Sequence, residues 1–427
     1  MAASNSLDDS LDISLQNPRL DELFMSLVGT PEGRKNPYPI YRQLLEMGPA
    51  FKMPMGSVVL TKYDHCRQLL RDNRFGKDTN NPDERRQRAE MMGLTQDEIE
   101  DAAKFFENRG SLLFLNPPDH TRLRSLISRA FTPRTIEKMR EHVVQITQDI
   151  LKDLENEVDI MEKLAWILPA TVISELLGVP QDQRETFRPL VRATTMLLEP
   201  VLSKDDFLLA IEAFKQINAM LTDLVNLRRM SPKDDLISLL IAARDGNDSL
   251  SEMELISTCQ LLYAAGFETT TNLIGNGLYA LLTHRSQFEL LKSNPELCQP
   301  AVEELLRFDS PVQFDARSAM EDADINGQFV PQGTIVLTIL GAANHDFTHF
   351  KNPEELNIVR DEGPPLSFAN GIHYCLGAPL ARLEGQVVFQ QLVTQYKDIE
   401  LIDLDPPRRD AIILRGIKEL KVNLITK

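Results

Sequence analysis

The chain is 427 residues long, with 42% apolar and 26% charged residues, proportions that exclude a fibrous, collagenous or wholly disordered protein. A formal net charge of -17 and a pI of about 5.0 oppose binding to nucleic acid or anionic lipid through the molecule as a whole. Cys66, Cys259, Cys298 and Cys375 lie far apart without a CxxC pair, the usage of a reduced compartment, so a cytoplasmic location is expected.

The first residues, MAASNSLDDSLD, contain neither a basic n-region nor an apolar h-region, so no secretory signal is expected. Residues 1–18 are polar and aperiodic and read as a mobile tail. From residue 19 to 427 there is no low-complexity linker and no repeat, which favours a single domain. Phe51 to Leu60, with a Met-Gly turn, reads as a strand pair. After Pro117-Pro118, His120 and Arg124 are spaced i, i+4 and share a helix face. After Pro133, the apolar positions Ile136, Met139, Val143, Ile146, Ile150 and Leu154 predict one helix. Leu164 to Ile173 is the longest apolar run, interrupted by Pro169 and far short of the roughly 20 residues that span a bilayer, so no membrane anchor is expected.

A long helix is predicted from Ser251, where Ser251 and Glu254 fit a capping box, to about Thr283, roughly 50 Å at 1.5 Å per residue. Its interior places Gly266 and Thr269-Thr270-Thr271 where helix propensity prefers neither, a local conflict that often marks function. Thr269 is expected to turn its hydroxyl onto the Ala265 carbonyl, and Gly266 to leave room for a diatomic ligand. Further on, Asn326-Gly327 and Gln332-Gly333 lead into a strand at Thr334 to Leu340. The fold class is therefore mainly α with small β-sheets, an α+β arrangement.

Cys375 stands between Gly371 and Gly377, just before the helical pattern Leu380, Leu383, Val387, Leu392. Backbone N–H groups and the positive dipole end at a helix start stabilise an anionic sulfur, and the glycines let the backbone approach a flat ligand. The usual fate of an isolated cysteine is that of a small buried hydrophobe, the reading for Cys66, Cys259 and Cys298.

The segment Phe368-Ala369-Asn370-Gly371-Ile372-His373-Tyr374-Cys375-Leu376-Gly377, read as F-x-x-G-x-H-x-C-x-G, resembles the haem-binding loop of the cytochrome P450 family. Ala369 departs from the family's usual Gly. The resemblance implies haem b with Cys375 as the iron ligand, and places Phe368 and Ala265 beside it. A thiolate on haem iron favours O–O cleavage. Two anionic propionates call for cations and donors. The resemblance supplies His120 and Arg124 in H-x-x-x-R, Arg317 in the segment SPVQFDARSA, and His373. Glu304 and Arg307 in EELLR resemble the family's structural E-x-x-R pair, whose buried hydrogen bonds would be completed by Arg360.

Ala264-Ala265-Gly266-Phe267-Glu268-Thr269 carries A-G-x-E-T, similar to the family's oxygen-binding motif, with Glu268 and Thr269 as a catalytic acid–alcohol relay for protons delivered to dioxygen. RKNPYPIYRQL at Arg34 to Leu44 and AANHD at Ala342 to Asp346 extend the resemblance over nearly the whole chain. It implies a monooxygenase of the soluble bacterial type, inserting oxygen from O2 into an apolar small organic molecule by hydroxylation or epoxidation. Electrons would come from a separate ferredoxin and ferredoxin reductase. Leu261, Ala265, Thr269 and Gln313 are expected near the substrate, with the loop from Phe75 to Leu113 and the helices from Glu185 to Phe214 shaping the pocket. Arg122 and Arg129, seven residues apart, would present a basic face to an acidic ferredoxin. A haem-based sensor would need Cys375 but not Glu268 and Thr269. A peroxide-driven enzyme would turn over without an electron donor.

Overall fold

The computed structural model describes residues 18–427 except 54–55, 78–81, 108–109, 129–130, 201, 246–247 and 326. Residues 1–17 of the expected tail at 1–18 and Asn326 of the expected turn therefore lie outside the described residues, whereas Pro18 already opens a helix, Pro18–Gly29.

A small sheet collects strands from distant parts of the chain: β1 (Ala50–Lys52), β2 (Val58–Leu60), β3 (Phe75–Gly76), β4 (Phe314–Ala319) and β5 (Ile335–Ile339), in the order β1-β2-β5-β4-β3. The first two strands are antiparallel, β2 and β5 are parallel, and β4 runs antiparallel to both β5 and β3. Arg317 is opposite Val336 in this register, so a cation is held on the central part of the sheet, 1% exposed. A second sheet joins Tyr396–Leu401, Lys421–Thr426 and Glu157–Asp159.

Helices dominate the rest. Those that frame the site are α1 (Asp119–Ser128), α2 (Pro133–Glu137), α3 (Arg140–Lys152), α4 (Ile167–Leu177), α5 (Arg184–Thr195), α6 (Lys204–Met230), α7 (Glu252–Thr283), α8 (Cys298–Phe308) and α9 (Ala378–Gln395). The single helix expected after Pro133 is instead two, α2 and α3. Lys138 and Met139 keep right-handed backbone angles and Met139 N–H donates to Ile136 O at 2.9 Å. The turn tightens there while the apolar face carries on through it.

The long helix α7 has the expected bounds. Ser251 Oγ accepts from Glu254 N–H at 3.2 Å and the Glu254 carboxylate accepts from Ser251 N–H at 2.8 Å, the reciprocal cap that starts a helix at that residue. It runs 32 residues, about 48 Å, and most of it is buried among α4, α5, α6, α8 and α9. Gly385 of α9 and Gly277 of α7 have no room for a Cβ beyond 3.2 Å and 2.7 Å of Leu273 and Phe389, so close backbone approach brings α9 against α7. The segment bearing Cys375 is thereby set opposite the middle of the long helix.

Candidate active site

Cys375 lies three residues before α9. Its N–H donates to Phe368 O at 3.1 Å, and Ala369 N–H donates to Leu366 O at 2.8 Å, folding the segment into a tight turn. Ala369 has φ 56 and Gly371 φ 70, both in the left-handed region that favours glycine. A Cβ on Gly371 would meet Leu70 O at 2.1 Å. The need for glycine at 371 is thus packing against the end of a neighbouring helix, and not the approach of a flat ligand that its place in the sequence suggested.

Burial pushes the Cys375 thiol up, while the N–H groups of Gly377 and Ala378 and the guanidinium charges of Arg124 and Arg382 act the other way. The other cysteines differ in kind. Burial pushes Cys259 and Cys298 up to about 12, a nearby carboxylate adding to it, and Cys66 is raised further. Cys375 is the one cysteine with cations beside it, as a thiolate requires.

A cationic cluster surrounds the turn. The rings of His120, on α1, and His373 lie 4.2 Å apart. Arg317 Nη1 donates to Asp315 at 2.7 Å, and Lys77 pairs with the same carboxylate. Arg124 Nη2 donates to Tyr374 O at 2.6 Å. Burial, then the charges of Arg124 and Arg317, push His120 down to about 4. Burial, then Arg317 and His120, push His373 down to about 3. Both ring nitrogens of His120, Nε2 of His373 and Nη2 of Arg317 are buried without a hydrogen-bond partner among the described residues. Orphaned donors facing a surplus of positive charge fit a ligand carrying carboxylates, which two haem propionates supply.

Between this cluster and α7 lies a cavity of about 1030 Å³. Cys375, Phe368, His373 and Arg124 line one side of it, and Leu261, Ala265 and Thr269 the other. Thr269 Oγ1 donates to Ala265 O at 2.7 Å, as expected. Gly266 lines the cavity beside Ala265 and Thr269, and a Cβ there would reach the Ile173 side chain at an ordinary contact distance of 3.4 Å. Residues from both expected segments line the cavity, among them Leu112, Leu113, Val191 and Phe214. Gln313 does not. It is buried, with Oε1 accepting from Tyr41 O–H at 2.8 Å and Nε2 donating to Ser310 O at 2.7 Å, because its side chain leaves the strand entry on the face away from the cavity.

Glu268 is buried at 3% exposure in an ion pair with Arg409, and its Oε2 has no hydrogen-bond partner among the described residues. Arg409 and Arg192 both lie over the ring of Trp166, at 4.8 and 4.3 Å from its centroid. Burial, then the charge of Arg192, lower Arg409 to about 9. Elsewhere, Glu304 and Arg307 form a two-pronged pair at 2.7 and 2.9 Å. Arg360 Nε donates to both Glu304 oxygens at 3.2 and 3.1 Å. Arg307 also donates to the carbonyls of Asn344 and Pro353. Arg122, expected on a docking face, is tied to Glu254 because α1 packs by the capped start of α7. Arg129 lies outside the described residues.

Lys77, Arg409 and Trp166 were not legible as site residues. Lys77 pairs with Asp315 and Arg409 with Glu268, and Arg409 lies over the ring of Trp166, each across more than a hundred residues of sequence, so no local spacing links them. The acid two residues before Arg317 was the one available signal.

A haem-sized, mostly apolar cavity with a cysteine on one wall, orphaned donors of a cationic cluster at its edge and the Thr269 hydroxyl of the long helix opposite defines a haem-thiolate protein. A sequence model of the family described as Cytochrome P450 matches residues 18–424. The polyketide biosynthesis cytochrome P450 PksS of Bacillus subtilis is 39% identical, over 92% of this chain and 98% of that protein. The cytochrome P450 monooxygenase PikC of Streptomyces venezuelae is 36% identical, over 91% of each. Among solved structures, P450BioI in complex with hexadec-9Z-enoic acid ligated acyl carrier protein superposes with a TM-score of 0.84 at 34% identity, covering 92% of this chain and 99% of that one. The chain belongs to the cytochrome P450 family. It is an oxidoreductase of the monooxygenase type, with haem b as its cofactor. It uses O2, a small-molecule substrate and an electron-transfer partner. No helix among the described residues is long and apolar enough to cross a membrane.

Proposed function

We propose that residues 19–427 form one domain that inserts an oxygen atom from O2 into an apolar organic molecule by hydroxylation or epoxidation, with electrons from a ferredoxin and its reductase in the cytoplasm. The observation that carries this reading is the mostly apolar cavity with Cys375 on one wall and Thr269 on the other. The names of relatives, polyketide biosynthesis, vitamin D(3) 25-hydroxylase and 6-deoxyerythronolide B hydroxylase, support a sizeable apolar substrate.

Each side chain has a stated task. Cys375 holds the iron, His120, Arg124, Arg317 and His373 hold the propionates, and Phe368 and Ala265 flank the ring. Haem b, when bound, supplies the iron at which dioxygen is reduced, with thiolate electron density favouring O–O cleavage. Thr269 Oγ1 donates to Ala265 O at 2.7 Å and so keeps its lone pairs toward the cavity, ready to hold a water. Glu268, adjacent in sequence and ion-paired with Arg409, is the carboxyl group that passes protons on to this hydroxyl. Glu304, Arg307 and Arg360 brace the segments behind Cys375.

The test separates proton delivery from haem binding. Thr269→Ala keeps helix propensity and cavity size, so the thiolate spectrum and substrate binding persist. With a surrogate redox chain and a substrate found by its spin-state change, NADH consumption should continue while product per NADH falls and peroxide rises. A Thr269→Ala variant that couples NADH to product as well as the parent does would remove Thr269 from oxygen activation. Glu268→Gln, whose carboxamide cannot exchange the proton, should slow the whole cycle.

A further inference from the structure

The corner between α5 and α6 holds a carboxylate that neither the haem nor the proton relay uses. Glu199 follows the short turn Met196–Leu198 and is 8% exposed. Its Oε2 accepts from Ile412 N–H at 2.7 Å and Ile413 N–H at 3.1 Å, and its Oε1 accepts from Ile413 N–H at 3.1 Å and Leu414 N–H at 3.0 Å. Three successive backbone donors thus converge on one buried carboxylate, more than 200 residues away in sequence. Convergent N–H groups of this kind make a concave anion site, and charge-assisted bonds are the strong ones.

The two segments it joins both face the cavity. Leu197 and Leu198, just before Glu199, line it, and so do Ile413 and Leu414. On the other side, the 411–415 segment is held by Gln313 N–H to Ile413 O at 3.0 Å and Arg415 N–H to Pro311 O at 2.9 Å. Those bonds use its carbonyl at 413 and its amide at 415. They leave the amides at 412–414 to Glu199. Without that carboxylate, two buried N–H groups, at Ile412 and Leu414, and a half-buried one at Ile413 lose their partner, a cost that drives a loop to another conformation.

We propose that Glu199 is a positioning residue for the substrate: it fixes the backbone of Ile412–Leu414, so that the Ile413 and Leu414 side chains present a fixed apolar wall, and it couples that wall to the roof carrying Leu197 and Leu198. This rests on the reading of the cavity as a substrate site beside a haem. The clamp acts on bulky molecules that reach roof and wall, and leaves small iron ligands alone.

The experiment uses the ferric holoenzyme and two probes, imidazole and clotrimazole, read by the Soret shift that each produces on ligating iron. Imidazole is small enough to bind without touching the wall. Clotrimazole, with three aryl rings, must pack against it. Glu199→Ala should weaken clotrimazole about tenfold, the effect of unfixing a few wall side chains, with imidazole affinity within about twofold of the parent. Hydrogen exchange of the amides at 412–414 should speed up in the same variant. Glu199→Gln keeps one acceptor oxygen and should weaken clotrimazole by only about threefold, and it decides the matter alone if the alanine variant does not accumulate. Clotrimazole affinity unchanged in Glu199→Gln and Glu199→Ala, or a loss that imidazole shares equally, overturns the clamp. A parent protein that gives no imidazole shift contradicts the haem reading itself and takes the clamp with it.

Discussion

Ala369, at φ 56, pays for its Cβ in a conformation that costs an L-residue roughly 1–2 kcal/mol, whereas glycine there gives back most of that in unfolded-chain entropy. Ala369→Gly should therefore raise stability by only about 0.5 kcal/mol, read as a small rise in melting temperature with haem content unchanged. Two residues on, Gly371→Ala meets both a left-handed backbone and the Leu70 carbonyl at 2.1 Å. A backbone atom cannot yield as a flexible side chain does, so this variant should lose more than about 2 kcal/mol and accumulate with little haem. Equal melting temperatures for Gly371→Ala and the parent would mean that the turn relaxes freely. The motif letters alone did not distinguish these two positions, since a sequence shows a glycine without showing what its absent side chain would strike.

At the scale of elements, the Glu304–Arg307–Arg360 cluster ties α8 to the segment from Asn344 to Arg360, with Glu304 and Arg307 exposed at only 3% and 2%. Arg307→Ala would leave Glu304 with only Arg360 and the Asn357 N–H and would strip donors from the carbonyls of Asn344, Pro353 and Glu355. Removing one member of a buried pair costs about 3–5 kcal/mol, so the variant should be haem-poor, with a markedly lower melting temperature. Normal haem content would mean that the cluster does not hold the region behind Cys375. This pair was legible because i, i+3 spacing on a helix forces the contact, as was α7, whose cap and apolar pattern are local. The order of the five-stranded sheet was not legible, because β2 and β5 pair across more than 270 residues of sequence. Nor was the α2–α3 break, since the apolar spacing is preserved through it. Arg409 escaped for the same reason as the sheet order, its partner Glu268 lying on another element.

For the molecule as a whole, acid stability is set partly by His345, buried between the N-terminal region and α8 with its ring 4.5 Å from Tyr38 and 6.1 Å from Phe308. Burial, then the charge of Arg307, push it from 6.5 down to about 3. The unfolded chain therefore binds a proton that the folded protein refuses. The associated stability is complete above about pH 6.5 and is lost as pH falls toward 3, by about 1.5 kcal/mol between pH 6.5 and 5. His345→Asn, which keeps a donor for Gly341 O but does not titrate, should show a shallower fall in melting temperature over that interval than the parent, and parallel profiles would contradict this. The central claim concerns one atom, Sγ of Cys375, and ferrous–CO absorbance of purified Cys375→Ser holoprotein tests it most directly. Thiolate ligation is expected to give the red-shifted band in the parent and in Cys66→Ser, Cys259→Ser and Cys298→Ser, and to be lost in Cys375→Ser. A red-shifted band retained by Cys375→Ser would contradict the assignment of the iron ligand and the account built on it.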